Sequence, residues 1–175
     1  MACPRRPCNR RKVDHNMQGN PNVIQALRAA LPLEAHLNLQ YRMNARLLRF
    51  QGIKKAACKF SQFADDAHSW LKCVTDQLLF LSDEAGDATA AYQIDPVANP
   101  LSVTELLEGA LDLEMAICRK YEENIQTAMG ALDDETRNKF EHLIKWHHDH
   151  VRWIEKKIRN VMEYGEAEVI LAGKL

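Results

Sequence analysis

Apolar residues recur every three to four positions along four long stretches of the chain, which is the spacing of one buried face of an α-helix. The first two stretches predict helices over residues 22–50 and 54–82. Gly52 lies between them and is expected to end the first helix. Pro32 falls inside the first pattern, and because proline removes a backbone donor it predicts a kink or a later start.

The third and fourth stretches carry clear boundary signals. Ser102 is followed three residues later by Glu105, which is the pattern of a capping box and predicts the start of the third helix. That helix is expected to end near Gly130. The fourth is predicted over residues 134–164, with Gly165 as its stop.

The lengths of the connections indicate how the helices pair. Short turns join the first helix to the second and the third to the fourth, so each pair is expected to form an antiparallel hairpin. A long polar segment over residues 83–101, containing Pro96 and Pro100, separates the two hairpins. The short apolar stretch 169–172 predicts a small fifth helix.

The overall composition excludes several classes of protein. Lys and Arg number 23 against 24 Asp and Glu, a balance that argues against a general nucleic-acid binder. The longest apolar runs are too short to cross a bilayer, and the first residues lack the apolar core of a secretory signal. Five cysteines at irregular spacings favour reduced thiols over a disulfide framework. A cytoplasmic location is therefore expected.

Residues 1–20 differ from the rest of the chain and are predicted to form a disordered basic arm in front of one domain at 21–175. The basic residues of the arm, set against the single acid Asp14, are Arg5, Arg6, Arg10, Arg11 and Lys12. Such an arm could contact DNA, a membrane surface or an acidic partner. A simple solvated tail explains the same composition.

The fourth helix carries the most informative candidate chemistry. His147 and His150 are three residues apart and project from one helical face, a spacing at which two imidazoles can share a metal ion. Glu34 and Glu114, on the inward faces of two other helices, could complete such a site. A solvated, mildly basic turn of helix is the alternative interpretation of the histidines.

Four segments, taken in order, resemble the bacterioferritins. They are LEAHLNLQY at 33–41, LFL at 79–81, LDLE at 111–114, and HVRW at 150–153 continuing to the Tyr-Gly pair at 164–165. The resemblance runs from about residue 22 to the C-terminus. It implies an all-α, ferritin-like antiparallel four-helix bundle with one long crossover and a short C-terminal helix. It also implies dimers that build a hollow cage, which takes up Fe(II), oxidises it and stores the mineral.

The di-iron centre of the family takes one Glu from the first helix, Glu-x-x-His from the second, Glu from the third and Glu-x-x-His from the fourth. Position by position, the first-helix ligand falls on Glu34, with the family's neighbouring tyrosine on Tyr41, and the third-helix ligand on Glu114. The fourth-helix pair falls on His147 and His150, so a histidine replaces the family glutamate.

The second helix departs from the family pattern. Without a gap, Glu-x-x-His falls on Ala67 and Trp70, whereas a two-residue gap would place it on Asp65 and His68. Two residues turn a helix by about 200°. The gapped register would therefore expose the apolar seam of this helix, which includes Phe63, Trp70 and Val74. Burial of that seam stabilises the fold by roughly 1.5–3 kcal/mol per large side chain. The ungapped register is therefore predicted.

In that register Ala67 and His147 stand where the family has its two bridging carboxylates. Alanine has no ligand atom, and a neutral histidine has one free lone pair and cannot bridge two irons. An ordinary di-iron ferroxidase centre is not expected. The remaining Glu34, Glu114, His147 and His150 suit one ion, such as Fe(II) or Zn(II). A metal-free hydrogen-bonded cluster of the same residues stays open as an alternative.

The same register places His68 where haem-binding bacterioferritins carry their axial methionine, at the two-fold dimer interface. Histidine can ligate haem iron, so a haem held by two His68 residues is one expectation and an ordinary interface histidine is the other. Asp65 and Asp66 are either cavity-facing acids that attract cations or solvated helix charges.

These observations favour an iron-storage cage subunit with an altered or lost oxidation centre, either as a homo-oligomer or paired with a catalytically active bacterioferritin subunit. A working ferroxidase with an Asp65/His68 register or a His-rich centre is the first alternative. A Dps-like protein whose basic arm binds DNA phosphates is the second. A structural bundle without metal is the third.

Overall fold

Five helices account for nearly all of the chain that the structure, a computed structural model, describes; these residues are 19–82, 98 and 100–175. The helices are α1 (Pro21–Phe50), α2 (Lys54–Leu81), α3 (Val103–Gly130), α4 (Asp134–Tyr164) and α5 (Glu166–Leu171). The all-helical prediction is confirmed, and the four long helices begin and end within one or two residues of the predicted positions.

The helices pack as a ferritin-like four-helix bundle. α1 lies against both α2 and α3, α3 lies against α4, and α5 packs on α4. Short turns make α1–α2 and α3–α4 antiparallel hairpins, as predicted. Most of the crossover between α2 and α3 lies outside the described residues, as does the predicted arm apart from Gly19 and Asn20. Within the described ranges, no helix is long and apolar enough to span a membrane.

Side-chain caps explain where α3 and α4 begin. The Ser102 side chain accepts a hydrogen bond from the Glu105 N–H, and Glu105 in turn accepts one from the Leu101 N–H at 2.8 Å. The reciprocal capping predicted from the sequence is therefore present, although the second bond reaches one residue further back. Asp133 caps α4 by accepting from the Thr136 N–H.

Pro32 does not delay α1, so the expectation of a late start is wrong. The helix begins at Pro21. Proline is well tolerated there, because the first backbone N–H groups of a helix make no hydrogen bond within it. It then continues through Pro32 to Phe50. Burial of the apolar side chains on either side, including Leu31 and Leu37, offsets the lost hydrogen bond and keeps this stretch helical.

The buried face of α2 shows which of its side chains point toward the middle of the bundle. Phe63, Ala67 and Trp70 are buried, whereas Asp65 and His68 are exposed. The ungapped register is confirmed. The gapped alternative, in which Asp65 and His68 supply ligands inside the same bundle, is wrong because those side chains lie on the opposite face of the helix.

A carboxylate from the C-terminal end of the chain caps the start of α3. Glu166, the first residue of α5, accepts hydrogen bonds from the backbone N–H groups of Val103 and Thr104 at 3.2 and 3.0 Å and from the Thr104 hydroxyl at 2.6 Å. Partial burial opposes the charged carboxylate, but these hydrogen bonds outweigh burial and lower the pKa of Glu166. The contact fixes α5 against the crossover end of the bundle.

We expect Glu166→Gln to lower the free energy of unfolding near neutral pH by about 1 kcal/mol, the usual value of a helix N-cap. Because the folded pKa is lowered, this stabilisation is present above the unfolded pKa of the carboxyl group and is lost as the pH falls through the folded value. Chemical denaturation at pH 7 and at acid pH measures both effects. Glu168→Gln, an exposed neighbour on α5, is the control. Equal stability of the two variants at pH 7 would contradict the capping role.

Candidate metal centre

The four residues singled out from the sequence meet at the centre of the bundle. α1 supplies Glu34, α3 supplies Glu114, and α4 supplies His147 and His150. The two glutamates and His147 are fully buried, and His150 is 3% exposed. Polar side chains buried so deeply require partners, and here they find them in one another.

Glu114 lies in the middle of the cluster. Its Oε2 atom accepts from His147 Nδ1 at 2.7 Å, while Oε1 accepts from His150 Nδ1 at 2.8 Å and from the Tyr41 hydroxyl. Burial opposes the charge, but the two histidines outweigh it and lower the pKa of Glu114 to about 2. The side chain is therefore a carboxylate throughout the physiological range.

Glu34 lies on the other side of His147. Its Oε1 atom accepts from His147 Nε2 at 3.1 Å and from the Tyr121 hydroxyl at 2.5 Å. The second oxygen, Oε2, is buried without a hydrogen-bond partner. Burial and the adjacent carboxylates raise the pKa of Tyr41 and Tyr121 well above the usual value, so both hydroxyls remain protonated donors.

Both ring nitrogens of His147 face carboxylates. Burial alone would favour the neutral ring, but the charge of Glu34 and the hydrogen bonds that the ring donates to Glu114 and Glu34 raise the pKa of His147 to about 9. An imidazolium that donates from both nitrogens satisfies this arrangement. In the absence of a metal, a positive charge therefore lies between the two carboxylates.

Asp66 of α2 lies at the edge of the cluster. Its Oδ2 atom is 3.4 Å from His150 Nε2, and its side chain is 35% exposed. The sequence predicted only a general charge role for Asp66. The available signal was its position next to Ala67, which the periodicity turns inward.

Aromatic rings occupy the side of the cluster that α2 faces. Phe63 stacks on His150 with ring centroids 3.6 Å apart, and Trp70 lies 4.4 Å from the His147 ring and 5.1 Å from the His150 ring. Ala67 is buried beside them. These side chains stand where the resemblance required the Glu-x-x-His pair, so α2 places no donor against the two imidazoles at these positions.

The donor set does not fit a di-iron centre. It lacks the Glu-x-x-His pair on α2, where Ala67 and Trp70 stand, and the bridging carboxylate on α4, and Trp70 packs against the two histidine rings. It does contain two imidazole Nδ1 atoms aimed at one carboxylate, which is a ligand combination used for single Fe(II) or Zn(II) ions. Across the described ranges, no group of three or more His, Cys, Asp or Glu side chains is arranged so that it could hold a metal ion as it stands. A cation would have to displace the protons that now join these ligand atoms.

A family model of the ferritin-like domain matches residues 24–163, which is most of the chain and includes all four residues of the cluster. The chain belongs to the ferritin family. A bacterioferritin of Streptomyces coelicolor is 26% identical over 152 residues, which cover 86% of this chain and 88% of that protein. This ferritin is therefore bacterioferritin-like, as the sequence motifs predicted.

A solved structure of Rhodobacter capsulatus bacterioferritin superposes with a TM-score of 0.82 at 26% identity, over 90% of this chain and 96% of that one. That bacterioferritin has a metal-free dinuclear site and a haem iron in a crystallographic special position. The superposition supports the ferritin-like bundle. The dinuclear site is a feature described for that relative, and the superposition does not extend it to this ferritin.

Other candidate residues of this ferritin lie away from the cluster. His68 is exposed on α2, and Asp65 is exposed and lies 3.5 Å from Arg42 in an ion pair. Cys58 is exposed, Cys73 is half-buried and Cys118 is buried, all three as free thiols.

The bridging imidazolium predicts a pH dependence in the metal-free protein. The pKa of His147 is raised from 6.5 to about 9, so its contribution to stability is complete below pH 6.5 and is lost as the pH rises through 9. We expect the free energy of unfolding to fall by roughly 3 kcal/mol over this window. Denaturation in the presence of chelator measures it. His147→Gln should remove this slope and His148→Gln, an exposed neighbour, should keep it; equal slopes would contradict the bridge.

Proposed function

We propose that this ferritin is an iron-storage cage subunit that has lost the ordinary di-iron ferroxidase centre. The observation that carries the proposal is the inward position of Ala67 and Trp70, together with His147 where the family has a glutamate. Without bridging carboxylates, two irons have no shared ligands to hold them close together. Storage needs only a cage wall, and the bundle supplies that without an oxidation centre.

A homo-oligomeric cage built from dimers follows from the bacterioferritin resemblance. Hetero-oligomers are a further part of the proposal, because a subunit without its own oxidation centre would depend on a catalytically intact bacterioferritin subunit for rapid Fe(II) oxidation. The exposed position of His68 on α2 is compatible with a haem held between two subunits, since a ligand shared at an interface must lie on the surface of each monomer.

We also propose that the residual cluster binds one divalent cation, with iron or zinc as the candidates. His147, His150 and Glu114 would hold the ion, and the cation would supply only charge and coordination there. Glu34, proposed from the sequence as a fourth ligand, contacts His147 Nε2, so its clearest role is to orient that ring. Its unpartnered Oε2 remains available to an incoming ion.

The loss of the ferroxidase centre predicts slow Fe(II) oxidation by the purified chain. We expect a rate close to that of buffer when oxidation is followed by ultraviolet absorbance after mixing with Fe(II) in air. The variant Ala67→Glu/Trp70→His/His147→Glu restores the family donor pattern. It should increase the oxidation rate at least about tenfold, because the loss of even one residue that supports a metal ligand typically lowers activity by about that factor.

Rapid oxidation by the unmodified chain would overturn this proposal, provided that Glu114→Gln abolishes it and Glu122→Gln does not. Glu122 is exposed on α3 and serves as the matched control. That outcome would favour the alternative of a His-rich ferroxidase.

The single-ion proposal predicts one Zn(II) or Co(II) per chain. Elemental analysis after dialysis and titration calorimetry should both find this stoichiometry, and Glu114→Gln should weaken binding at least about tenfold. Glu122→Gln should bind as the unmodified chain does. An unmodified chain that takes up no metal at the cluster, with unchanged assembly, would support the metal-free hydrogen-bonded cluster instead.

A further inference from the structure

The turn between α1 and α2 carries an unbalanced positive charge. Residues 35–64 contain neither aspartate nor glutamate, although the whole chain has 24 acidic residues against 23 Lys and Arg. The basic residues of this stretch are Arg42, Arg46, Arg49, Lys54, Lys55 and Lys59. The balanced charge of the whole chain therefore conceals a strongly basic region where α1 ends and α2 begins.

Four of these cations are not neutralised by a neighbouring acid. Arg42 does have such a partner, because it lies 3.5 Å from Asp65, and Lys59 donates to Gln62 at 3.0 Å. The other four side chains are exposed and form no ion pair with any acid in the described part of the chain. We call these four residues the tip patch: Arg46, Arg49, Lys54 and Lys55. Unpaired surface cations raise the local electrostatic potential and attract anions.

Lysines of α4 extend this basic surface. Lys55 and Lys157 approach the same segment after α5, where Lys55 Nζ donates to the Gly173 carbonyl at 3.5 Å and Lys157 Nζ donates to the Lys174 carbonyl at 2.5 Å. Burial and the like charges of Lys156 and Lys55 lower the pKa of Lys157. Because like charges contribute to this shift, the positive potential of the tip patch continues from α2 onto α4.

An aromatic ring lies among the cations of the tip patch. Phe50 is the last residue of α1, directly follows Arg49, and is 93% exposed. Between residues 46 and 59, no other large apolar side chain is exposed. An exposed ring flanked by cations is the combination with which proteins bind single-stranded nucleic acid, since the cations contact phosphates and the ring stacks on a base.

We propose that the tip patch and Phe50 form a binding surface for single-stranded nucleic acid. The four cations contact backbone phosphates, and the Phe50 ring stacks on an unpaired base. Every base has a π-face, so the surface binds without a marked preference for sequence. An anionic membrane would also attract the cations, but one aromatic side chain gives it little apolar area to bury.

This surface is separate from the basic arm predicted at residues 1–20. The Gly19 N–H donates to the Leu81 carbonyl at 3.1 Å, so the chain enters α1 beside the C-terminal end of α2. The tip patch lies at the N-terminal end of α2, and a helix of 28 residues separates the two ends by roughly 40 Å. Binding at the tip patch should therefore persist in a chain without the arm.

The experiment measures binding of a fluorescent oligothymidylate to the full-length assembled protein, by anisotropy at several salt concentrations. The variant Arg49→Gln/Lys54→Gln/Lys55→Gln should lower the affinity at least about tenfold at low salt. It should also reduce the slope of log affinity against log salt by about 2, because each contact of a cation with a single-strand phosphate contributes about 0.7.

Two further variants separate stacking from charge. Phe50→Ala should weaken binding by roughly 5- to 150-fold, the loss of one stacked base, and should leave the salt slope unchanged. The control Lys72→Gln/Arg119→Gln/Lys145→Gln also removes one Arg and two Lys, from exposed positions away from the turn, and should change the affinity less than about twofold. Thermal melts and size-exclusion chromatography check that all variants remain folded and assembled.

Four results would overturn the proposal. The first is an unmodified chain that binds no oligonucleotide at low salt. The second is an equal loss of affinity in the tip variant and the control variant, which would indicate a general effect of net charge. The third is binding that deletion of residues 1–18 abolishes and the tip variant leaves intact, which would assign it to the arm. The fourth is tip-dependent binding of phosphatidylglycerol vesicles without binding of the oligonucleotide, which would indicate a membrane surface instead.

Discussion

The centre of this bundle depends on the buried carboxylate of Glu114. It accepts hydrogen bonds from Tyr41 on α1 and from His147 and His150 on α4, so one side chain of α3 joins three helices. A carboxylate without these donors would be very costly at 0% exposure. The surrounding polar residues are thus required as a set, because each supplies a partner that another one needs.

The imidazolium of His147 plays the role that a cation would otherwise play between Glu34 and Glu114. Its two N–H groups reach the two carboxylates, and its charge reduces their mutual repulsion. A proton at this position and a metal ion are therefore alternatives for balancing the same negative charges. The aromatic rings of Phe63 and Trp70 keep water away from the cluster. The lower dielectric strengthens the electrostatic attraction between the carboxylates and whichever cation is present.

Helical periodicity and turn signals were sufficient to predict the four long helices, and the inward face of α2 followed from burying Phe63 and Trp70 instead of Asp65 and His68. The convergence of Glu34, Glu114, His147 and His150 was also predictable, from their shared inward register. Contacts that depend on rotamers were not. The direction of each ring nitrogen is set by χ angles and neighbouring packing, so the position of Asp66 beside Ala67 was not enough to predict its pairing with His150. The cap that Glu166 places on α3 bridges more than sixty positions and likewise has no local signal.

The indole of Trp70 limits which single substitutions the interior face of α2 can accept. A lone Ala67→Glu change would push a carboxylate against a filled interior, and a lone Trp70→His change would leave a cavity beside His147. Each single step is therefore destabilising before any benefit appears. The packing of this region therefore resists stepwise replacement of Ala67 and Trp70, and two or more substitutions would have to be made together to keep the interior filled.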